Sequence, residues 1–127
     1  MEVNFTLPLP PSVNKMWRSA GKRWYLTKEA VEYKELVKYA VYKAGHIGLS
    51  REKPLFNPKE LLGIAIIVYP PNNRRMDLDN RAKGLLDALQ DAFVYQDDFQ
   101  IKKIYMEMKP KADVGAVHVR IWSLESE

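Results

Sequence analysis

The chain has 127 residues, contains no cysteine and only two histidines, and has a hydrophobic fraction of 46%. The absence of cysteine excludes disulfides, zinc–thiolate centres and cysteine nucleophiles, so any catalysis must use carboxylates, lysine, histidine or hydroxyl groups. The length and the apolar content predict one folded domain over residues 1–127 and argue against disorder.

The charges are distributed unevenly along the chain. Its net charge is +4 and its isoelectric point is about 9.2, which weakly indicates a polyanionic partner. The first 76 residues contain no aspartate, whereas the segment 77–98 contains six aspartates and two basic residues, a net charge of −4 against +8 in the rest of the chain. An acidic patch therefore lies within a basic protein.

Neither the first residues nor the apolar runs predict a membrane or secreted protein. Residues 1–4 do not begin a basic segment followed by an apolar one, so they do not resemble a signal peptide. The apolar run over 61–68 is too short to cross a bilayer. We expect a cytoplasmic protein with no membrane partner.

The first elements in chain order are a strand, a loop and a helix. Apolar and polar residues alternate over 3–7, as in a strand with one buried face, and prolines end this segment. Residues 12–23 are predicted as a loop. Apolar residues recur at helical spacing over 28–44, with Thr27 as N-cap, and both Tyr33 and Leu36 are expected in the core.

The second half of the chain predicts a sheet and another helix. In chain order, we expect a strand over 61–69 covered on both faces, a helix over roughly 78–92, a turn over 93–98, and strands around 104–108 and 117–121 joined by a hairpin loop over 109–115. This order predicts an α/β (α+β) domain with a small mixed sheet of about four strands and two main helices.

The densest polar segment follows the predicted central strand and opens the second helix, a common position for a site in sheet proteins. Asp77 and Asp79 flank the start of this helix. Lys83 lies four residues after Asp79, so we expect both side chains on one side of the helix. Asp97 and Asp98 form a second acidic pair before the third strand of the predicted sheet.

Two interpretations of these carboxylates remain open. Convergent carboxylates without histidine or cysteine suit Mg²⁺ or Mn²⁺, which serve phosphoryl chemistry, and Lys83 would then stabilise the scissile phosphate. Arg74 and Arg75 beside them would bind flanking phosphates. In the alternative, the aspartates only cap helices and turns, and the lysine forms a solvated ion pair. Spacing alone does not decide between them.

The predicted loop after the first strand interleaves cations with aromatic residues, from Lys15 to Tyr25. This pattern is typical of a nucleic-acid surface, where cations contact phosphates and aromatic rings stack on bases. It is equally typical of a packed loop whose charged side chains extend along apolar surface. His46 and His118 are interpreted as structural.

Three segments together resemble the RusA-type Holliday junction resolvases. They are Leu-Pro-Leu-Pro-Pro-Ser-Val-Asn-Lys-Met-Trp-Arg at 7–18, Asp-Leu-Asp-Asn-x-x-Lys at 77–83 followed by Leu-Asp-Ala-Leu at 86–89, and Asp-Asp at 97–98. The resemblance implies a RusA-like fold and a magnesium-dependent homodimeric endonuclease, with Mn²⁺ as a possible substitute, that nicks four-way DNA junctions symmetrically in recombination and repair.

Matched by position, Asp77, Asp79 and Asp98 correspond to the metal-binding catalytic carboxylates of the family, and Lys83 to its essential lysine. Met76 stands where the family can have arginine. The residues expected to contact DNA are Arg74, Arg75, Lys15, Arg18, Asn14 and Asn80. The alternatives are a metal-dependent nuclease on flaps or other branched DNA, and a non-catalytic DNA-binding dimer.

Two geometric expectations accompany this assignment. A helix over 79–92 is about 20 Å long, and the extended segment 93–98 also reaches about 20 Å. Asp98 can therefore return to Asp77 within one chain, and contribution from a partner subunit is the alternative. Gly84 is costly in mid-helix by about 1 kcal/mol, which close approach of DNA or of a second subunit would explain.

Overall fold

The computed structural model describes residues 1–46, 48–74 and 76–126. Within them the chain forms β1 (Glu2–Pro8), β2 (Trp17–Ala20), β3 (Arg23–Leu26), α1 (Lys28–Lys43), β4 (Leu62–Tyr69), α2 (Ala82–Asp91), β5 (Ile101–Met108) and β6 (Ala116–Ser123). Short 3₁₀ turns occur at Val13–Lys15, Leu78–Arg81, Asp98–Gln100 and Leu124–Ser126. No helix in these ranges is long and apolar enough to span a bilayer.

Four strands form one mixed sheet, as the sequence predicted, and their order is β1-β6-β4-β5. β6 pairs antiparallel with both β1 and β4, whereas β5 pairs parallel with β4. The predicted hairpin between β5 and β6 is wrong, because β4 lies between them. The segment 109–115 instead crosses the end of β4, where the Lys109 N–H donates to the Val68 carbonyl at 2.8 Å.

Both helices pack on one face of the sheet and enclose the core. Alternate residues of β1, β4 and β6 point into it, together with Tyr33, Val37 and Val41 of α1 and Leu85, Ala88 and Leu89 of α2. The expectation that β4 is covered on both faces is only half met, because helices cover one. On the other face Trp122 lies so close over Gly63 that a Cβ there would be 2.5 Å from its ring.

Helix α1 matches the predicted segment with one correction to its buried stripe. The Thr27 hydroxyl accepts the Ala30 N–H at 3.3 Å, and Gly45, with φ of +83°, follows the end of the helix. Tyr33 is buried and its hydroxyl donates to the Pro8 carbonyl at 2.8 Å. Leu36, expected in the core, is 51% exposed, because the buried stripe runs through Ala30, Tyr33, Val37 and Val41.

The predicted loop over 12–23 contains an element that the pattern did not reveal. β2 and β3 form a separate two-stranded hairpin with a two-residue connection, Gly21-Lys22, in which Gly21 has φ of +65°. Glycine at the first central position is typical of the type II′ hairpin turn. Neither face of this hairpin is buried. The alternation of apolar and polar residues that identifies a half-buried strand is therefore absent.

Candidate active site

A shallow cleft of about 280 Å³ lies between two segments. One is the proline-rich loop that follows β1, residues 9–12, and the other is the segment that follows β4. Ser12, Met76, Asp77, Asn80 and Arg81 line the cleft. The Asp77 carbonyl accepts the Asn80 N–H at 3.2 Å, but the exposed Asp77 carboxylate makes no capping hydrogen bond. Capping by its side chain therefore does not account for Asp77, and the carboxylate faces solvent.

The proline-rich loop is fixed to the start of α2 by two close contacts. Arg81 Nη1 donates to the Pro10 carbonyl at 2.6 Å. A Cβ on the buried Gly84 would lie 3.3 Å from the Pro11 carbonyl oxygen and 3.4 Å from Met16 Sδ. The close approach expected at this glycine is thus made by the chain's own loop, which replaces the explanation by DNA or a second subunit.

The ion pairs of Lys83 are with Asp87 and Asp98, whereas the spacing had placed Asp79 on its side of the helix. Its Nζ lies 3.0 Å from Asp87 Oδ1 and 3.8 Å from Asp98 Oδ2. Asp79 belongs to the 3₁₀ turn that precedes α2, so the helical i,i+4 geometry begins only with Lys83 and Asp87. The hydrogen bond to Asp87 raises the pKa of the Lys83 ammonium above its ordinary value, which keeps this group charged.

The two neighbouring aspartates of the second acidic pair have different environments. Asp97 is exposed, and its carboxylate caps the following turn by accepting the Phe99 N–H at 2.9 Å. Gln100 completes a capping box through its side-chain oxygen, 3.1 Å from the Asp97 nitrogen. Asp98 is half-buried, and its N–H donates to Gln90 Oε1 at 2.9 Å. The capping interpretation therefore holds for Asp97 only.

The Asp98 carboxyl lies in an environment with excess negative charge. Burial raises its pKa, the Lys83 ammonium opposes that shift, and the carboxyls of Asp97 and Asp87 add to it. Tyr95 lies beneath this group, fully buried, with its hydroxyl donating to the Leu86 carbonyl at 2.6 Å. An additional cation would relieve the repulsion between these carboxylates.

The structure brings part of the predicted site together within one chain. Lys83 and Asp98 meet, and Asp87 and Gln90, which the sequence analysis did not single out, join them. Both follow Lys83 on one helix face at spacings of four and seven residues, a signal that could have found them. Asp77 and Asp79 lie on the preceding turn, and no group of three or more His, Asp or Glu side chains within the described ranges forms a ready metal cluster.

Four of the six residues expected to contact DNA are exposed. Asn14 and Lys15 are exposed in the Val13–Lys15 turn, and Arg18 is exposed on β2. Arg74 is exposed, with its N–H donating to Asn72 Oδ1 at 2.9 Å. Asn80 is half-buried at the cleft. Arg75, also expected to contact DNA, lies outside the described residues.

Comparison with known proteins gives a consistent family assignment. The family model described as Endodeoxyribonuclease RusA matches residues 8–122. Relatives named crossover junction endodeoxyribonuclease RusA include those of Enterobacteria phage HK97, 34% identical over 98% of both chains, and Escherichia coli strain K12, 30% identical over 98% of this chain and 97% of the relative. That of Enterobacteria phage 82 is 28% identical over 98% and 97%. The chain belongs to the RusA family of endodeoxyribonucleases.

Proposed function

We propose that the protein is a Holliday junction resolvase, a single-domain cytoplasmic enzyme that nicks four-way DNA junctions in recombination and repair. The observation that carries this proposal is the approach of Lys83 to Asp98 in the chain of a RusA-family protein, with the exposed carboxylates of Asp77 and Asp79 six and four residues before Lys83 in the sequence. A lysine ammonium and several carboxylates around the start of α2 suit the hydrolysis of a phosphodiester.

Mg²⁺, with Mn²⁺ as a substitute, fits the donor chemistry of this site. Carboxylate oxygens are the ligands that these ions prefer, and Asp98 shares its surroundings with Asp87 and Asp97 against one ammonium group. Mg²⁺ is commonly held by one or two carboxylates together with water and substrate phosphates rather than by an all-protein cage. A cluster that is incomplete without DNA is therefore compatible with a magnesium site.

The roles of the side chains follow from their positions. Asp77, Asp79 and Asp98 would hold the ion, which when bound supplies an activated water and neutralises charge on the scissile phosphate. Lys83, kept charged by Asp87, would donate to a phosphate oxygen and stabilise the negative charge that develops there. Arg74 in the loop after β4 and Asn80 in the Leu78–Arg81 turn, together with Arg75, would hold flanking phosphates.

A homodimer suits a substrate with two-fold symmetry, because two sites then produce paired nicks. We assign the contact between copies to the sheet face that no helix covers in the described ranges. This face has a depression of about 720 Å³ that includes Ala65, Ile67 and Tyr105. The charged pair on this face is already neutralised, because Arg120 Nε donates to Glu2 Oε1 at 2.8 Å within the same chain, so apolar contact would carry the association. Sedimentation should show a dimer that Tyr105→Arg dissociates, and a stable dimer of this variant would contradict the assignment.

Each site is proposed to come from one chain, because Lys83 and Asp98 meet without a partner. An equimolar mixture of Asp77→Asn and Asp98→Asn subunits should then remain inactive, since every chain lacks one ligand. Restored nicking in the mixture would show instead that Asp98 acts in the partner's site.

The experiment that tests the function compares four-way, flap and linear duplex DNA of matched length, each with and without Mg²⁺. We expect paired nicks in the four-way junction that require the metal. Preferential cutting of flaps would favour a nuclease for other branched DNA. Binding of junctions without metal-dependent nicking would favour the non-catalytic DNA-binding dimer.

A further inference from the structure

The β2–β3 hairpin is a basic and aromatic surface, and the proposed catalytic groups do not explain it. No acidic residue occurs between Glu2 and Glu29, whereas this stretch contains five basic ones. Trp24 and Tyr25 are 70% and 50% exposed. An element with this charge is suited to the phosphates of DNA, and exposed aromatic rings are suited to stacking on bases.

The hairpin register places the arginines and the tryptophans on different faces. Arg18 pairs with Tyr25 and Ala20 with Arg23, and because paired residues share a face, Arg18 and Arg23 lie on one side. Trp17 and Trp24 lie on the other side, as diagonal neighbours. One face of the ribbon thus carries both arginines together with Tyr25, whereas the other presents the two indole rings.

The base of the hairpin is fixed beside the proposed active site. The Thr27 N–H donates to the Met16 carbonyl at 2.8 Å, and the Thr27 hydroxyl donates to the Lys15 carbonyl at 2.5 Å. Met16 is buried against Gly84, the residue that follows Lys83. DNA held at Lys83 would therefore lie within reach of the hairpin.

We propose that this hairpin recognises the branch point of the DNA, with Trp24 stacking on base pairs exposed there and Arg18 and Arg23 binding the adjoining phosphates. The inference rests on the proposed junction-resolving function and names the part of the substrate that the enzyme reads. An intact duplex keeps its bases stacked and offers no base face to an indole, whereas a branch point does. The largely exposed ring of Trp24 therefore favours branched over linear DNA.

The test measures equilibrium binding to a four-way junction and to a linear duplex of the same length, in EDTA so that no nicking occurs. Trp24→Ala should weaken junction binding by about 5- to 100-fold, the range for loss of one base–aromatic stack, and change duplex binding by less than about twofold. Trp24→Phe should retain most of the affinity. The control is Tyr42→Ala, which removes a 66% exposed ring at the far end of α1 and should leave both affinities unchanged.

The arginines make a separate contribution to the same measurement. The double variant Arg18→Gln/Arg23→Gln should weaken binding to both substrates and reduce the slope of log affinity against log salt by about 2, since each arginine neutralises one phosphate. An unchanged slope would overturn the binding of phosphates by these arginines.

The outcomes separate this inference from the proposed function. If the wild-type protein prefers the junction and Trp24→Ala binds the junction equally well, the proposed role of the hairpin is wrong and the proposed function stands. Equal loss on duplex and junction would also overturn branch-point stacking. Wild-type protein without preference for the junction would overturn both. Because Trp24 packs in no core, thermal unfolding of its variants should match wild type, which verifies that the fold is retained.

Discussion

The acidic site, formed by Lys83, Asp87 and Asp98, packs on the buried core, whereas the basic β2–β3 hairpin projects into solvent. Asp98 and Lys83 lie on elements that rest on the buried core, and Tyr95 and Leu85 beneath them are fully buried. The hairpin has two strands that bury neither face and holds its charges out in solvent. Its base alone is fixed, through Met16.

This difference suits the roles proposed for the two regions. Catalytic groups need fixed positions relative to a reacting phosphate, and packing against a core provides them. A surface that contacts phosphates and bases needs exposed cations and rings, and it tolerates small displacements. The same fold thus gives one rigid region and one projecting region, joined where the proline-rich loop contacts α2.

The first test of this contrast truncates a buried side chain in the core on which the acidic site packs. Leu89 is fully buried on α2, and Leu89→Ala should lower the free energy of unfolding by about 2–5 kcal/mol. Trp24→Ala should change it by less than about 0.5 kcal/mol. Denaturant titration of both variants measures this, and equal losses would contradict the contrast.

The next test separates chemistry from binding. Asp77→Asn should reduce the rate of junction nicking by about 100- to 1000-fold, while binding in EDTA stays equal or becomes tighter, because a negative charge near phosphates is removed. Single-turnover nicking and equilibrium binding measure the two effects. Nicking at the wild-type rate would show that Asp77 is not part of the site.

A smaller effect is expected where the two regions join. Gly84→Leu places a side chain where the Pro11 carbonyl and Met16 already lie, so it should cost about 1–3 kcal/mol of stability and slow nicking. Gly84→Ala should stay within about 1 kcal/mol of wild type, since the gain in helix propensity offsets the tight contact. Wild-type stability and nicking in Gly84→Leu would contradict this packing.

The smallest effect concerns the surface ion pair between the helices. Lys38 Nζ lies 3.1 Å from Asp91 Oδ2, and this hydrogen bond raises the pKa of Lys38 above its ordinary value of 10.5. Lys38→Met should cost no more than about 1 kcal/mol near neutral pH, and the difference should vanish in high salt. The pair's contribution is present below 10.5 and is lost as pH rises through the raised pKa, so stability measured at alkaline pH checks the sign.

The sequence predicted the elements that contribute one regular face to the core. Strands β1, β4 and β6 and helix α1 have the expected periodicity because each buries alternate or helically spaced side chains. The hairpin was not predicted because neither of its faces is buried, so its residues show no alternation of apolar and polar side chains. The order of β5 and β6 was also missed, since seven residues suit a hairpin loop as well as a crossing over β4.

The candidate site was predicted as a set of residues and not as an arrangement. Local spacing and family resemblance selected Lys83 and Asp98 as candidates, but the spacing placed Asp79 rather than Asp87 beside Lys83, because the turn before α2 is 3₁₀ rather than α-helical. Helical spacing from Lys83 could have indicated Gln90, but the positions of Asp98 and Tyr95 against it depend on how the chain returns along α2, which no local pattern specifies.

The most direct test of the central claim compares two adjacent carboxylates on a four-way junction in Mg²⁺. Asp98 faces Lys83, whereas Asp97 caps a turn, a role that asparagine fills equally well. We predict that Asp98→Asn reduces single-turnover nicking by at least about 100-fold, with Asp97→Asn within about threefold of wild type, well below the loss of a catalytic group. Equal losses in both variants, or wild-type nicking by Asp98→Asn, would contradict the account.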